Sequence, residues 1–409
     1  LITKNGKAKF ERRYYKDNET GENVCLTDKI LGIDKGERID KKVKAELIQK
    51  ASEQSYSKAG KLVVPEMEIS ATTVMRSVRK NDWKMEIKER KEEEKIKAKN
   101  IFIQVDEDHV KERNKKGRTI SKIVTIYTRK RTLTKPERID KVKIPRKELV
   151  DKFTFSGLYK DTQEMWEDVA YYIDCTYKKE EIETVFVMGD GASYIKAGTE
   201  WIGKSVFVLD TFHLEKYINN LNFDEYLKKK QQEAIEQYDP ISTENIMKEA
   251  IKKVEQEIKE DERLGRNTKR LENRLKKVKE TKTYLMNQWD GIEAHDIYKD
   301  KLTGCCQEGQ VHHTLSERLS TVAKVWSENG IDEMSQLRAF TQNKGDIYQK
   351  LIDISTEEKR EKKIEKLEKR IRKKANKKIF GTTGVKIPIG MARDELYYEL
   401  KDIWYRKAV

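Results

Sequence analysis

Long hydrophobic runs are missing from this chain. No stretch of its 409 residues approaches the ~20 consecutive apolar residues that cross a bilayer as a helix, and no signal peptide opens it. Cysteine is scarce as well. Cys25, Cys175, Cys305 and Cys306 form no CxxC pair and no standard zinc spacing. That excludes a disulfide-stapled scaffold and fits a reduced, cytoplasmic chain. Apolar residues make up only 36% of the composition against 39% charged, so much of the chain must be solvated helix around a modest core. The first residue is Leu1 rather than Met, which points to a fragment or a processed form. The length suits two or three domains.

What is present is charge, with a basic surplus. Lys and Arg number 87 against 72 Asp and Glu, a net charge of +15. Such a surplus points to a polyanionic partner, most simply nucleic acid. A lysine-rich proteome is the bland alternative. Of the five histidines, His109, His213, His312 and His313 fall in the motifs below, and His295 reads as structural.

The organising stretch is residues 185–213. Two apolar runs, 185–188 and 206–209, are short, unalternated and rich in β-branched and aromatic residues, as strands buried on both faces are. Each stops at an aspartate, Asp190 (after Gly189) and Asp210. Acids at the carboxyl ends of such strands sit at the rim of an α/β sheet, where ligand sites gather. Residues 101–105 form a third apolar run ending in Asp106, and 120–128 reads as its antiparallel partner. A helix over 161–178 leads into the organising stretch.

On the amino-terminal side, residues 8–15 and 23–31 read as a β-hairpin. Residues 41–60 have helical spacing. A helix over 57–64 is broken at Pro65, and Ser70 is placed to cap a second helix over 71–80. Short helix, tight turn and basic helix end are the layout of a helix-turn-helix, which would present Thr72, Thr73 and Arg76 to DNA, with Arg79 and Lys80 beside them. An ordinary helical pair is the alternative. Residues 82–99 read as a charged connecting helix, and 130–150 as a basic loop.

Beyond His213 the pattern turns helical. Residues 214–227 come first, then Pro240 as a break. Residues 243–264 and 266–286 follow as an antiparallel hairpin around Gly265, with Met247, Ile251, Val254 and Ile258 on one seam and Leu271, Leu275, Val278 and Leu285 on the other. Further helices are read over 311–319 and 331–343. A narrow-faced charged helix over 355–378, a loop over 381–390 and a last helix over 393–405 complete the chain. Trp201 and Trp326 read as packing residues. Zinc held by Cys305, Cys306, His312 and His313 matches no standard spacing.

Three acids stand out for chemistry: Asp106 and Asp190 at strand ends, and Glu308 at a helix start. Phosphodiester cleavage and transfer use divalent ions, commonly two about 3.5–4 Å apart bridged by carboxylates. Hard Mg²⁺ takes oxygen ligands and keeps waters, so two or three carboxylates suffice. Asp108 stands beside Asp106 as an alternative first ligand, with Asp106 favoured because it ends the apolar run. Glu317 competes with Glu308. The element order is that of a ribonuclease-H-like fold, so the expected class is α/β with an all-α insertion and an amino-terminal helix-turn-helix region.

VDEDHV at 105–110, GDGA at 189–192, DTFH at 210–213 and QEGQVHHTLSERLS at 307–320, taken in order, resemble the DDE transposases of bacterial insertion sequences, closest to the ISLre-two type related to the Mutator-like transposases. The resemblance implies that Asp106, Asp190 and Glu308 are the catalytic, metal-binding acids for Mg²⁺ or Mn²⁺. It implies that Asp210 and His213 match a C/DxxH signature and support the site together with His312. It further implies binding of transposon ends and target DNA, strand transfer, action as a dimer or larger homo-oligomer, and a cytoplasmic, nucleoid-associated place in a bacterial cell. On this reading the chain divides into 1–35 (β-hairpin region), 36–82 (helix-turn-helix), 83–100 (helical linker), 101–213 and 304–345 (two parts of the core), 214–303 (helical insertion) and 346–409 (basic helical region). A metal-dependent nuclease without strand transfer and an inert DNA-binding regulator are the rivals.

Overall fold

The three apolar runs that end in aspartates form the parallel half of a mixed five-stranded sheet. Its strands are β1 (Asn100–Lys111), β2 (Arg118–Tyr127), β3 (Phe153–Gly157), β4 (Thr184–Gly189) and β5 (Ser205–Leu209). They lie in the order β5-β4-β1-β2-β3. β1, β2 and β3 pair antiparallel, and β4 pairs parallel with both β1 and β5. This computed structural model describes residues 1–380 apart from 19–20, 22, 65–66, 134–146, 220, 222–224 and 322–323. The break expected at Pro65, most of the basic loop and the elements expected over 381–405 lie outside the described residues.

The amino-terminal helices are α1 (Lys41–Glu53), α2 (Tyr56–Leu62) and α3 (Ala71–Arg79). Ser70 caps α3 as expected, its Oγ accepting the Thr73 N–H at 3.2 Å. The helix read over 161–178 is α4 (Thr162–Thr176), capped by Asp161. After β5 come α5 (Thr211–Asn219), α6 (Glu225–Glu236), α7 (Pro240–Arg263), α8 (Lys269–Asn287) and α9 (Trp289–Ile297). Pro240 starts α7 instead of ending a helix, because Asp239 caps it and a first-turn proline lacks only an N–H that would be orphaned anyway. α7 and α8 form the expected hairpin, with Met247, Val254, Val278 and Leu285 buried. Next come α10 (Gln307–Val311), a π-helical turn (His312–Ser316), α11 (Glu317–Leu319), α12 (Glu328–Gln342) and α13 (Ile347–Phe380).

The sheet is covered on both faces. Ile101, Ile103 and Val105 of β1 and Val185 and Val187 of β4 pack against Met165, Trp166 and Val169 of α4. On the other face Phe102, Phe186, Met188 and Val208 cluster with Ala294 of α9. Trp166 is fully enclosed, its Nε1–H donating to the Tyr194 carbonyl at 2.8 Å. Trp166→Ala should lower stability by about 3–5 kcal/mol, read as a lower urea midpoint. A midpoint within error of wild type would show that α4 does not hold the sheet. Residues 352–409 form a separate unit. Its described part continues α13, with i,i+4 pairs such as Glu365–Lys369 along it.

Three expectations are corrected. Residues 83–91 are extended, not helical, with only a 3₁₀ turn at Glu92–Glu94 after them. Trp83, Met85 and Ile87 alternate inward, and the Arg90 and Ile96 N–H groups bond to the Cys175 and Thr176 carbonyls at the end of α4. Residues 23–31 are a short strand, Asn23–Cys25, paired with Tyr14–Lys16 and followed by a helix, Leu26–Leu31. Trp201 is 40% exposed instead of packed, whereas Trp326 is buried.

Candidate functional site

Strand register aligns the acids. In β1 and β4 Gln104 lies beside Met188, and in β4 and β5 Gly189 lies beside Leu209. Continuing each ladder puts Asp106, Asp190 and Asp210 at one level across three neighbouring parallel strands. Parallel neighbours at one level point to the same face. The ladder does continue past β5, since the Asp210 N–H donates to the Gly189 carbonyl at 2.8 Å.

Gly189 is required at this point. A Cβ there would lie 2.7 Å from Ile195 Cδ1 and 2.9 Å from the Val105 carbonyl oxygen. Gly191, at φ +89°, adopts a left-handed turn against Gln288, where a Cβ would come within 2.6 Å of the side-chain amide. The turn is fastened from both sides. Asp190 Oδ1 accepts the Ala192 N–H at 2.9 Å, and the Asp190 carbonyl accepts the Tyr284 hydroxyl at 2.7 Å. Gln288 Nε2 donates to the Gly191 carbonyl at 3.0 Å. The helical insertion therefore braces the Asp190 loop, a role the sequence did not suggest.

Glu308 comes from the far end of the chain, in the first turn of α10. Its approach is fixed by Gln104, which is fully buried two residues before Asp106 on the same strand face. Gln104 Oε1 accepts the Cys306 N–H at 3.3 Å and the Cys306 thiol at 3.2 Å, while its Nε2 donates to the Tyr127 hydroxyl at 2.9 Å. Asp108, next on that face, accepts the Ser320 hydroxyl at 2.9 Å and is buried. It is an anchor for the chain beyond Glu308, and Asp106 holds the place in the row.

The electrostatics follow. Burial pushes the Asp106 carboxyl up to about 7, and the charges of Asp190 and Glu308 push the same way, against the Glu107 N–H and His213. Asp210 is only 3% exposed. Burial would raise its carboxyl, but the hydrogen bond from His213 Nδ1 at 2.9 Å, the Phe212 N–H and Cys305 outweigh burial and hold it below the usual range. The Asp210 hydrogen bond raises the His213 imidazole, helped by the charges of Asp106 and Asp190 and opposed by burial. In the row it is Asp106 whose ionisation is disfavoured, while the Asp210–His213 pair beside it favours its charged form.

Other expected residues are placed elsewhere. His312 lies with His313 and Glu317, the only three metal-capable groups among the described residues with ligand atoms within 4.8 Å of one another. Glu317 Oε1 meets His313 Nδ1 at 3.1 Å, and its other oxygen faces Arg338. The zinc set does not converge, because Cys306 bonds Gln104, Cys305 lies against Asp210, and the two histidines turn to Glu317. On α3, Thr72 and Arg76 are exposed and Thr73 is half-buried. Lys80 is exposed too, whereas Arg79 turns inward, donating to Ser327 Oγ at 2.9 Å and pairing with Glu333 at 3.7 Å. No described helix is long and apolar enough to cross a membrane.

Fold and site together define a mixed α/β protein with a row of acids across the carboxyl ends of three parallel strands. The chain belongs to the family described as "Uncharacterised protein family (UPF0236)", whose model matches residues 1–349. One UPF0236 protein of Caldanaerobacter subterraneus subsp. tengcongensis is 33% identical over 397 residues, 95% of this chain and 79% of the relative. A second from the same organism is 34% identical over 397 residues, 95% of this chain and 78% of the relative, and its name joins eleven locus designations. This corrects the family expected from the motifs. The match is to UPF0236, and neither relative is named as a transposase.

Proposed function

We propose that this protein binds DNA and catalyses divalent-metal-dependent phosphodiester cleavage and strand transfer, with Asp106, Asp190 and Glu308 as the metal-binding acids. The alignment of Asp106 with Asp190 across β1 and β4, with the charge of Glu308 bearing on Asp106, carries this reading. The donor type suits Mg²⁺ or Mn²⁺, although the ligand atoms of Asp106, Asp190 and Glu308 do not all lie within 4.8 Å of one another. It is all hard oxygen, and a carboxyl raised to about 7 among other acids is one whose ionised form a cation would favour. Bound there, two such ions supply activation of the attacking oxygen and stabilisation of the leaving one. The residues do the rest. The Asp190 loop, pinned by Tyr284 and Gln288, keeps its carboxylate at a fixed level beside Asp106. Asp210 fixes the His213 ring next to the row through Nδ1.

Three further features support the reading. The strand order, with an antiparallel β1–β3 meander followed by parallel β4 and β5, suits a ribonuclease-H-like core interrupted by the α6–α9 insertion. Helices α2 and α3, with Thr72 and Arg76 exposed, suit a helix-turn-helix, and the +15 charge suits DNA. A relative's name joining eleven locus designations is what a gene copied repeatedly within one genome would carry, so the cleavage and joining are assigned to DNA transposition. A homo-oligomer that holds two DNA ends and a nucleoid-associated location go with this assignment.

The test is purified protein, Mg²⁺ and labelled duplexes from the flanks of its own gene. Cleavage with joining is expected. Cleavage without joining would reduce the assignment to a nuclease, and binding without metal-dependent cleavage would overturn the enzymatic reading in favour of a regulator.

A further inference from the structure

A second charged feature lies where the amino-terminal helices meet the chain beyond Glu308. A cavity of about 460 Å³ is walled in part by Tyr56, Arg79, Arg113, Arg318, Lys324 and Trp326, and no carboxylate among the described residues lines it. Four of those six side chains are cations. Arg318 is the deepest, at 3% exposure. Its Nε donates to the Ala51 carbonyl at 2.9 Å, and its guanidinium carbon sits 5.1 Å from the Tyr56 ring centre and 4.7 Å from that of Trp326. Rings and a carbonyl hold its orientation, yet Arg318 makes no ion pair among the described residues.

The other cations reinforce that charge. Lys324 Nζ donates to the carbonyl of Arg318 itself at 3.0 Å. Burial and the charge of Arg318 push the Lys324 ammonium down, and burial brings the Arg318 guanidinium down to about 10. Arg79 has Glu333 at 3.7 Å, one acid against four cations. Its Nε is buried without a hydrogen bond among the described residues. Buried charges in proteins are ordinarily paired, because leaving one unpaired is costly. Here donors and positive charge converge on an open cavity, and among the described residues Glu333, beside Arg79, is the one carboxylate set against them.

We propose that this cavity binds a backbone phosphate of nucleic acid, with Arg113 and Lys324 at its mouth and Arg318 at its floor. The proposal rests on the DNA reading above and extends it to a second, non-catalytic anchor. The spacing is suitable. Arg113 follows the end of β1, and Asp106 to Lys111 spans roughly 16 Å of strand at about 3.3 Å per residue. That equals about five base-pair steps of duplex at 3.4 Å each, so one DNA segment reaches from the acid row to the cavity. Phosphate suits a donor set of guanidinium forks and an ammonium.

The experiment uses the full chain. Binding of a labelled duplex is followed by anisotropy over a salt series for wild type, Arg113→Ala and Lys324→Ala. Each variant is expected to bind severalfold more weakly at low salt, and the slope of log K against log salt should fall by about 1. Inorganic phosphate should raise the melting temperature of wild type and do so less for Lys324→Ala. Arg318→Gln should lose both effects, but the two mouth variants decide the matter because they leave the buried clamp intact. Wild-type slopes in both mouth variants would overturn the anchor and leave the DNA reading standing. Stabilisation by phosphate without any DNA binding by wild type would overturn the DNA reading and, with it, the nucleic-acid assignment of this cavity.

Discussion

Asp190→Asn protein is expected to bind duplex DNA with wild-type affinity and, on the proposed function, to cut it at least ~10³-fold more slowly, an effect of about 4 kcal/mol on the barrier. The substitution is nearly isosteric. The asparagine amide oxygen can still accept the Ala192 N–H that Asp190 accepts at 2.9 Å, and the backbone carbonyl bonded to Tyr284 is untouched. The loop therefore stays in place while one charge disappears. That charge is one of those that raise the Asp106 carboxyl. In metal-free buffer the variant should consequently melt no lower than wild type, because a like-charge repulsion has been removed. Loss of cutting with retained binding and retained melting temperature separates a metal-binding role from a folding role. Cutting at the wild-type rate would remove Asp190 from the site, and with it the meaning of the aligned row.

The main sheet elements were legible because their signals are local. An apolar, β-branched run such as Val185–Phe186–Val187 cannot be half-solvated, and Ser70 announces the helix it caps. Register was not legible. That Asp106, Asp190 and Asp210 share one level depends on the pairing of strands about 80 and 20 residues apart in the chain, and pairing is decided by both faces of the sheet together. The sequence singled out Asp106 and Asp190 as ligands and Asp210 with His213 as supporting residues, but not the common level that the three aspartates share.

Charge density hid other features. Between Asp82 and Lys99 the helical look of alternating acids and bases obscured the period-2 burial of Trp83, Met85 and Ile87. Arg79 was grouped with Arg76 as a surface residue, although three positions along a short helix turned it to Ser327 and Glu333. The family expectation failed for a related reason. Short acidic motifs in order describe a chemistry that several lineages can use, whereas the match over residues 1–349 is to UPF0236.

Gln104 is the residue whose importance only the folded chain reveals, and its replacement carries the second large effect. In the sequence it is a polar interruption of an apolar strand. In the fold it is fully buried and joins three groups, the Cys306 N–H, the Cys306 thiol and the Tyr127 hydroxyl. Gln104→Leu keeps the volume and removes the partner of the Cys306 N–H, while the Tyr127 hydroxyl keeps Thr303 and the Cys306 thiol keeps Lys130. A polar group left without a partner costs about 1–3 kcal/mol, and the other two hydrogen bonds to Gln104 are lost with it. A total loss of about 2–4 kcal/mol is expected from the urea midpoint. The effect on cutting should exceed what that loss predicts at a temperature where the variant is still folded. Cys306 is the residue on which α10 starts, so freeing it releases Glu308 from its fixed approach to Asp106. A displacement of about 1 Å in a reacting constellation can cost ~10²-fold in rate. DNA affinity should change little, because Gln104 lies beneath the surface. A variant that loses stability yet cuts at the wild-type rate would show that α10 finds its place without Gln104, and that Glu308 is not held to the row through β1.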